Sequence, residues 1–173
     1  RSGCGEGAAH GPAIGAPVLP NPGNGQPSAG VPFTRQHRVL DGECGPSGRI
    51  YAPKVLDLIV ETIGEWFEEI PRVPWLTLVS ERRQGAPWVS ADCDLLRPMV
   101  PGQVMTVTVL VARLGRASVG FDAAGRDADG APCFASRWTA CFVDQDAGFR
   151  PMPVPEEIRA RIQAYREACG AAG

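Results

Sequence analysis

The amino-acid sequence predicts an α+β domain in which an antiparallel β-sheet curls around one long helix. Three observations carry this reading. Residues 50–71 repeat apolar side chains at helical spacing: Val55, Ile59, Ile63, Trp66 and Ile70 form a stripe that Leu56 and Phe67 widen. Asp57, Glu61, Glu65 and Glu68 fall on the opposite side. One strand-like run precedes this segment, and several with strand character follow it. A single strand, a long helix and then a meander suit a sheet wrapped on a helix better than a series of crossover units.

Each element can be justified in turn. Residues 1–31 are crowded with Gly, Pro, Ala and Asn and have no periodicity, so they are expected to be a flexible tail or linker. Residues 32–173 are expected to form the domain. A short mixed run from Phe33 to Asp41 reads as the first strand, and a dense cluster of turn formers, residues 42–49, follows it. Pro53 suits the first turn of the long helix, where its missing N–H is not needed. Pro71 and Pro74 end that helix. Residues 75–83 and 88–96 read as strands, separated by a turn at Gly85-Ala86-Pro87. The run from Val104 alternates, with Val107, Val109 and Val111 on one face and Thr106 and Thr108 on the other. Asp129 and Gly130 mark a hairpin, and residues 132–144 read as a long last strand. A short amphipathic helix closes the chain, acidic early and basic late.

Composition bounds the function. The chain has 173 residues, 44% hydrophobic and 21% charged, enough for an ordinary core. The formal charge of −2 provides no field for nucleic acid or an anionic membrane. No apolar run approaches the roughly 20 residues of a membrane span, and the N-terminus lacks the apolar centre of a secretion signal. The six cysteines form no C-x-x-C pair, and only His10 and His37 could assist a metal, so no metal and no cofactor is expected. Cys93, Cys133 and Cys141 read as small core residues, which fits a reducing cytoplasm.

Four local patterns resemble the hotdog-fold thioesterases of the 4-hydroxybenzoyl-CoA type. Gly45-Pro46-Ser47-Gly48-Arg49-Ile50-Tyr51-Ala52-Pro53 is similar to that family's loop entering the central helix. Leu95-Leu96-Arg97-Pro98 with Pro101-Gly102 is similar to its Leu-Arg-Pro turn. Gly115-Arg116-Ala117-Ser118 starts a strand where the family often has Arg-x-Ser, and Asp129-Gly130 with Cys141-Phe142-Val143-Asp144 is similar to its last hairpin. The resemblance covers Phe33 to Pro155. It implies a hotdog fold, a homodimer or tetramer with sites between subunits, and an acyl or aryl thioester of coenzyme A or an acyl-carrier protein as substrate. It also implies that the backbone N–H of Ala52 faces the thioester carbonyl. Exposed amides at a helix start favour developing negative charge, which gives that role an independent reason.

Two departures bear on the chemistry. The family's usual catalytic Asp in the loop falls on Gly45, which can be neither nucleophile nor base. A second branch of the family carries its carboxylate inside the helix, and strict register puts Val60 there, with Glu61 one residue on. One residue is about 100° of rotation around a helix. The candidate catalytic groups are therefore Glu61, if the helix start shifts by one residue, Glu43 and Ala52. The chain also resembles enediyne-pathway hotdog enzymes, which share a Glu at the position of Glu43 and lack an acid at that of Gly45. That resemblance implies that positioned water and the oxyanion site can suffice without a carboxylate. A carboxylate would attack the thioester or take a proton from water. Gly45, Gly48, Tyr51, Arg97, Arg116 and Ser118 are candidate substrate contacts.

Each candidate has a plainer reading. Glu61 sits in a solvated acidic stripe, Glu43 in an exposed loop, and His37 on a half-exposed strand. Asp92 and Asp94 read as the polar face of a strand rather than a metal pair. Trp66, Phe67 and Trp138 read as core, and Cys44 has no evident His partner. Two other functions remain open: a hotdog hydratase or dehydratase, which wants a His or Asp base near the helix start, and a non-catalytic thioester-binding or dimerisation module.

Overall fold

A computed structural model describes residues 31–170. The tail expectation for residues 1–31 lies outside them apart from its last residue. Strand β1 (Phe33–Arg38) is followed by a 3-10 turn (Asp41–Glu43), helix α1 (Ala52–Glu69) and a π-helical turn (Thr77–Glu81). Then come β2 (Gln84–Gly85), β3 (Trp88–Leu95), β4 (Val104–Leu114), β5 (Ser118–Asp127), β6 (Pro132–Cys141), β7 (Val143–Asp144), β8 (Arg150–Pro151) and helix α2 (Glu156–Ala168).

The main sheet has the order β1-β4-β5-β6-β3, antiparallel throughout, and β2, β7 and β8 form a second small sheet. Helix α1 packs across the main sheet. It buries Val55, Leu58, Ile59, Thr62, Ile63, Trp66 and Phe67. The inward residues of three strands meet it: Val107, Val109 and Val111 from β4, Phe121 from β5, and Phe134 and Trp138 from β6. Trp66 stands edge-on to Phe121 at 5.0 Å and to Tyr165 of α2 at 5.6 Å, so the terminal helix closes the same core. The Tyr165 hydroxyl donates to the Val109 carbonyl at 2.5 Å and accepts the Phe33 N–H at 2.8 Å, tying α2 to β4 and β1. Burial pushes its pKa well above the usual tyrosine range, against the smaller lowering effect of the Phe33 N–H bond. Gly125 makes a close approach possible: a Cβ there would lie 2.3 Å from Phe134 Cε1. No helix among the described residues is long and apolar enough to cross a membrane.

Three local readings need correction. Residues 75–81 are helical, not a strand. Pro74 starts the turn, with its carbonyl accepting the Leu78 N–H at 3.1 Å, and Leu78 alone enters the core while Leu76 points outward. An apolar run this short does not distinguish a strand from a buried helical turn. The long last strand divides, since β6 ends at Cys141 and β7 pairs with β2 in the other sheet. Leu56 does not widen the buried stripe of α1: it is exposed, and Leu58 and Thr62 are buried instead. The polar side of the helix is also uneven, because Glu65 is half-buried against Arg35 of β1 at 3.0 Å.

Candidate functional site

The loop before α1 is held by a short ladder. Gly45 N–H donates to the Arg49 carbonyl at 2.8 Å, Gly48 N–H donates to the Gly45 carbonyl at 2.9 Å, and Cys44 and Ile50 form an antiparallel bridge. Gly48 makes the turn at φ +69°, a conformation in which a side chain would be strained. Two further bonds pin this hairpin: Ile50 N–H to the Met99 carbonyl at 2.9 Å, and Tyr51 N–H to the Glu43 carbonyl at 2.8 Å. The chain thus enters the helix at one fixed place, between the turn at Glu43 and the loop at Met99.

Tyr51 is the N-cap, with extended dihedrals of φ −76° and ψ 128° and no side-chain cap bond. Ala52 is the first helical residue and Pro53 the second. No carbonyl within the helix can reach the Ala52 N–H, and Pro53 has none to offer. One exposed amide therefore stands at the positive end of an 18-residue helix dipole.

Beside this helix start lies a cleft of about 330 Å³ lined by Ser47, Arg49, Ile50 and the stretch Leu95, Leu96, Arg97, Pro98 and Met99. Arg97 is tethered through one guanidinium nitrogen to Asp127 at 3.0 Å and is otherwise half-exposed. Arg49 is exposed on the facing wall. Two cations at the mouth suit a phosphorylated arm. Arg97 was singled out by sequence; Arg49 was not, and its place in the turn was the signal available.

The candidate carboxylates separate. Glu43 Oε2 lies 2.9 Å from His37 Nε2 and accepts the Leu40 N–H at 2.8 Å. Partial burial pulls this carboxyl upward, but the Leu40 bond, the His37 bond and the charges of His37 and Lys54 outweigh it, and the pKa lies below its ordinary 4.5. An ionised carboxylate only accepts hydrogen bonds, so Nε2 is the donor in this contact. Glu61 is exposed and lies one turn before Glu65, which pairs with Arg35 of β1. It therefore belongs to the β1 flank of the helix.

Val60, the position where the family's second branch carries its acid, lies on the other flank. With Ile63, Gly64 and Phe67 of α1, Trp75 and Trp88 it lines an almost wholly apolar groove of about 230 Å³. Both the groove and the cleft lie between α1 or its entry loop and the edge strand β3. Gly45, Gly48, Tyr51, Arg97, Ala52 and Glu43 all belong to the helix-start end of the molecule. Arg116 and Ser118 do not. Ser118 begins β5 and Asp127, the partner of Arg97, ends it, a separation of about 30 Å at strand rise. The Arg116 carbonyl is engaged by Val154 N–H at 2.9 Å and by Arg159 at 2.8 Å.

Among the described residues, the thiols of Cys44, Cys93, Cys133 and Cys169 are all pushed up, burial being the largest cause in each. Burial, then Asp94, pushes Cys93 up to about 11. Partial desolvation and the charges of Asp41 and Glu43 raise Cys44 as well. Asp92 lies exposed along β3.

No family model and no curated protein matches the chain. Among solved structures, it is similar to a thioesterase-superfamily protein from Jannaschia sp. CCS1, with 29% identity over 80% of this chain and 95% of that one and a TM-score of 0.71. A 1,4-dihydroxy-2-naphthoyl-CoA thioesterase from Synechocystis matches at 16% identity, covering 76% and 95% with a TM-score of 0.71. A Staphylococcus aureus protein solved in complex with CoA matches at 12% identity, covering 83% and 89% with a TM-score of 0.76. The chain has the hotdog fold, and its structural neighbours include thioesterase-superfamily proteins.

Proposed function

We propose that this protein hydrolyses an acyl or aryl thioester of coenzyme A or an acyl-carrier protein. The observation that carries the proposal is the Ala52 N–H at the head of α1, which has no acceptor within the helix, near a cleft lined by Arg49 and Arg97. The two arginines hold the phosphorylated arm, and the thioester carbonyl accepts from Ala52. Attack by water moves charge onto that oxygen, where the amide and the helix dipole stabilise it. The thiolate leaves with little acid assistance, and the water proton passes to a base.

We assign that base to the Glu43 side because the Glu43 carbonyl accepts the Tyr51 N–H at 2.8 Å, one residue before Ala52. His37 Nδ1 is a base oriented through Nε2 by the ionised Glu43 carboxylate, and Glu43 also fixes the loop that delivers Tyr51 and Ala52. Glu61 is exposed about two and a half turns beyond Ala52 and has no role in this reading. Arg116 and Ser118 contact substrate only if they come from a second subunit.

A homodimer fits the same reading. β3 is an edge strand of eight residues with Val89 and Leu95 exposed, an open ladder that a second copy can extend. That pairing would roof the seam between β3 and α1. A thiol-reactive dye with a panel of aryl and alkyl CoA esters tests hydrolysis, and light scattering tests the dimer; thiol release from none of the esters refutes the activity. The contact between His37 and Glu43 also favours a second reading as a hydratase, since it supplies a histidine the entry loop lacks; loss of enoyl-thioester absorbance would identify it. Binding of esters without turnover would identify a non-catalytic module.

A further inference from the structure

We propose that the site takes long, apolar, straight-chain acyl groups, which run from Ala52 along α1 and end in the groove beside Gly64. This rests on Ala52 being the amide that holds the thioester carbonyl. Ala52, Leu56, Val60 and Gly64 are spaced four residues apart and so form one ridge along the helix. Leu56 is 38% exposed and Val60 37% exposed although both are large apolar residues on the helix that forms the core. The ridge leads from the free amide to the groove walled by Phe67, Trp75 and Trp88.

Gly64 is the second observation. Glycine inside a helix weakens it, and its usual justification is another chain passing close by. Nothing lies within 4 Å of where a Cβ on Gly64 would stand. The missing side chain therefore deepens an open groove instead of accommodating a packed neighbour. The lining is almost entirely apolar, so an alkyl chain is its fitting occupant.

Length follows from the helix. At 1.5 Å per residue, Val60 lies about 12 Å and Gly64 about 18 Å beyond Ala52. An extended alkyl chain advances roughly 1.25 Å per carbon, from a bond near 1.5 Å at the tetrahedral angle. About ten carbons therefore reach Val60 and about fourteen reach Gly64. A benzoyl-sized group would stop in the first turns of the ridge.

The test compares butanoyl-, decanoyl- and tetradecanoyl-CoA with wild-type protein and Gly64→Leu. The expected wild-type kcat/KM rises with length. Filling the groove should lower the ratio of tetradecanoyl to butanoyl turnover by roughly tenfold or more, the usual discrimination for lost apolar contact in a pocket. If Gly64→Leu does not fold, Gly64→Ala should move the ratio the same way by less. A profile that is flat, or unchanged in the folded variant, overturns the proposal. If no ester is hydrolysed, hydrolysis-resistant S-alkyl-CoA thioethers with the same chains are titrated against tryptophan fluorescence. Length-dependent binding weakened by Gly64→Leu then upholds the groove while the hydrolase reading fails. Absence of that dependence, with the variant changing the mass seen by light scattering, shows that a second copy fills the groove and overturns the proposal.

Discussion

Replacing Ala52 with proline should remove one hydrogen-bond donor from this protein and disturb little else. Proline is well tolerated at the first position of a helix, where φ near −65° is already required and the N–H has no intrahelical partner. The residue before a proline must be extended, and Tyr51 already is, at φ −76° and ψ 128°. Ala52 is exposed, so the ring meets solvent rather than core. The Lys54 N–H to Tyr51 carbonyl bond, which closes the first turn at 2.8 Å, does not involve the Ala52 nitrogen. Stability should therefore change by less than about 1 kcal/mol, with restriction of the unfolded chain favouring the variant. Catalysis should not survive as well. Loss of one oxyanion donor typically lowers kcat by about 10²–10³, equivalent to about 2.7–4 kcal/mol of transition-state stabilisation. Thiol release from an accepted ester measures kcat, circular dichroism melting confirms the fold, and Ala52→Ser, which keeps the amide, serves as the control. A folded Ala52→Pro protein with wild-type kcat would refute the assignment of this amide.

Three further outcomes test other parts of the structure. Glu43→Gln should slow turnover and destabilise the entry loop; the folded pKa of Glu43 is depressed, so its stabilisation is present above 4.5 and disappears as pH falls through the depressed value. The gap in melting temperature between wild type and Glu43→Gln should thus be constant near neutrality and close only in acid, and a gap that persists unchanged at low pH would contradict this. Tyr165→Phe leaves the Phe33 N–H and Val109 carbonyl without their partner at a buried site, for a loss of about 1–3 kcal/mol in denaturant unfolding. Gly125→Ala drives a Cβ into Phe134 and the Met105 sulfur, and should cost about 1–3 kcal/mol or more, seen as a lowered melting temperature.

Much of the fold could be read from periodicity, because α1 and α2 each turn one face to the core and β4 alternates, with Met105, Val107, Val109 and Val111 buried. Val55, Ile59, Ile63 and Trp66 repeat at helical spacing and are fully buried. The strand reading of residues 75–81 failed because an apolar run of that length fits either period, and Pro74 with the single inward Leu78 decided the outcome. That error hid Trp75, and with it one wall of the apolar groove. The entry loop and Ala52 were legible because glycine, proline and a helix start are local matters of backbone chemistry.

Pairings between distant residues were not legible. Nothing in the order of residues places His37 against Glu43, Arg97 against Asp127, or Trp88 opposite Gly64 across the seam. Glu43 meets His37 while Glu61 lies exposed on α1, and that difference depends on how the helix is set against the whole sheet. By itself the sequence determined the helix, the curled antiparallel sheet and the free amide, since each follows from local propensity and one-sided burial. Only the tertiary structure decided that Glu43 meets His37 and that an apolar groove opens beside Gly64, because those depend on contacts closed by strands far apart in the chain.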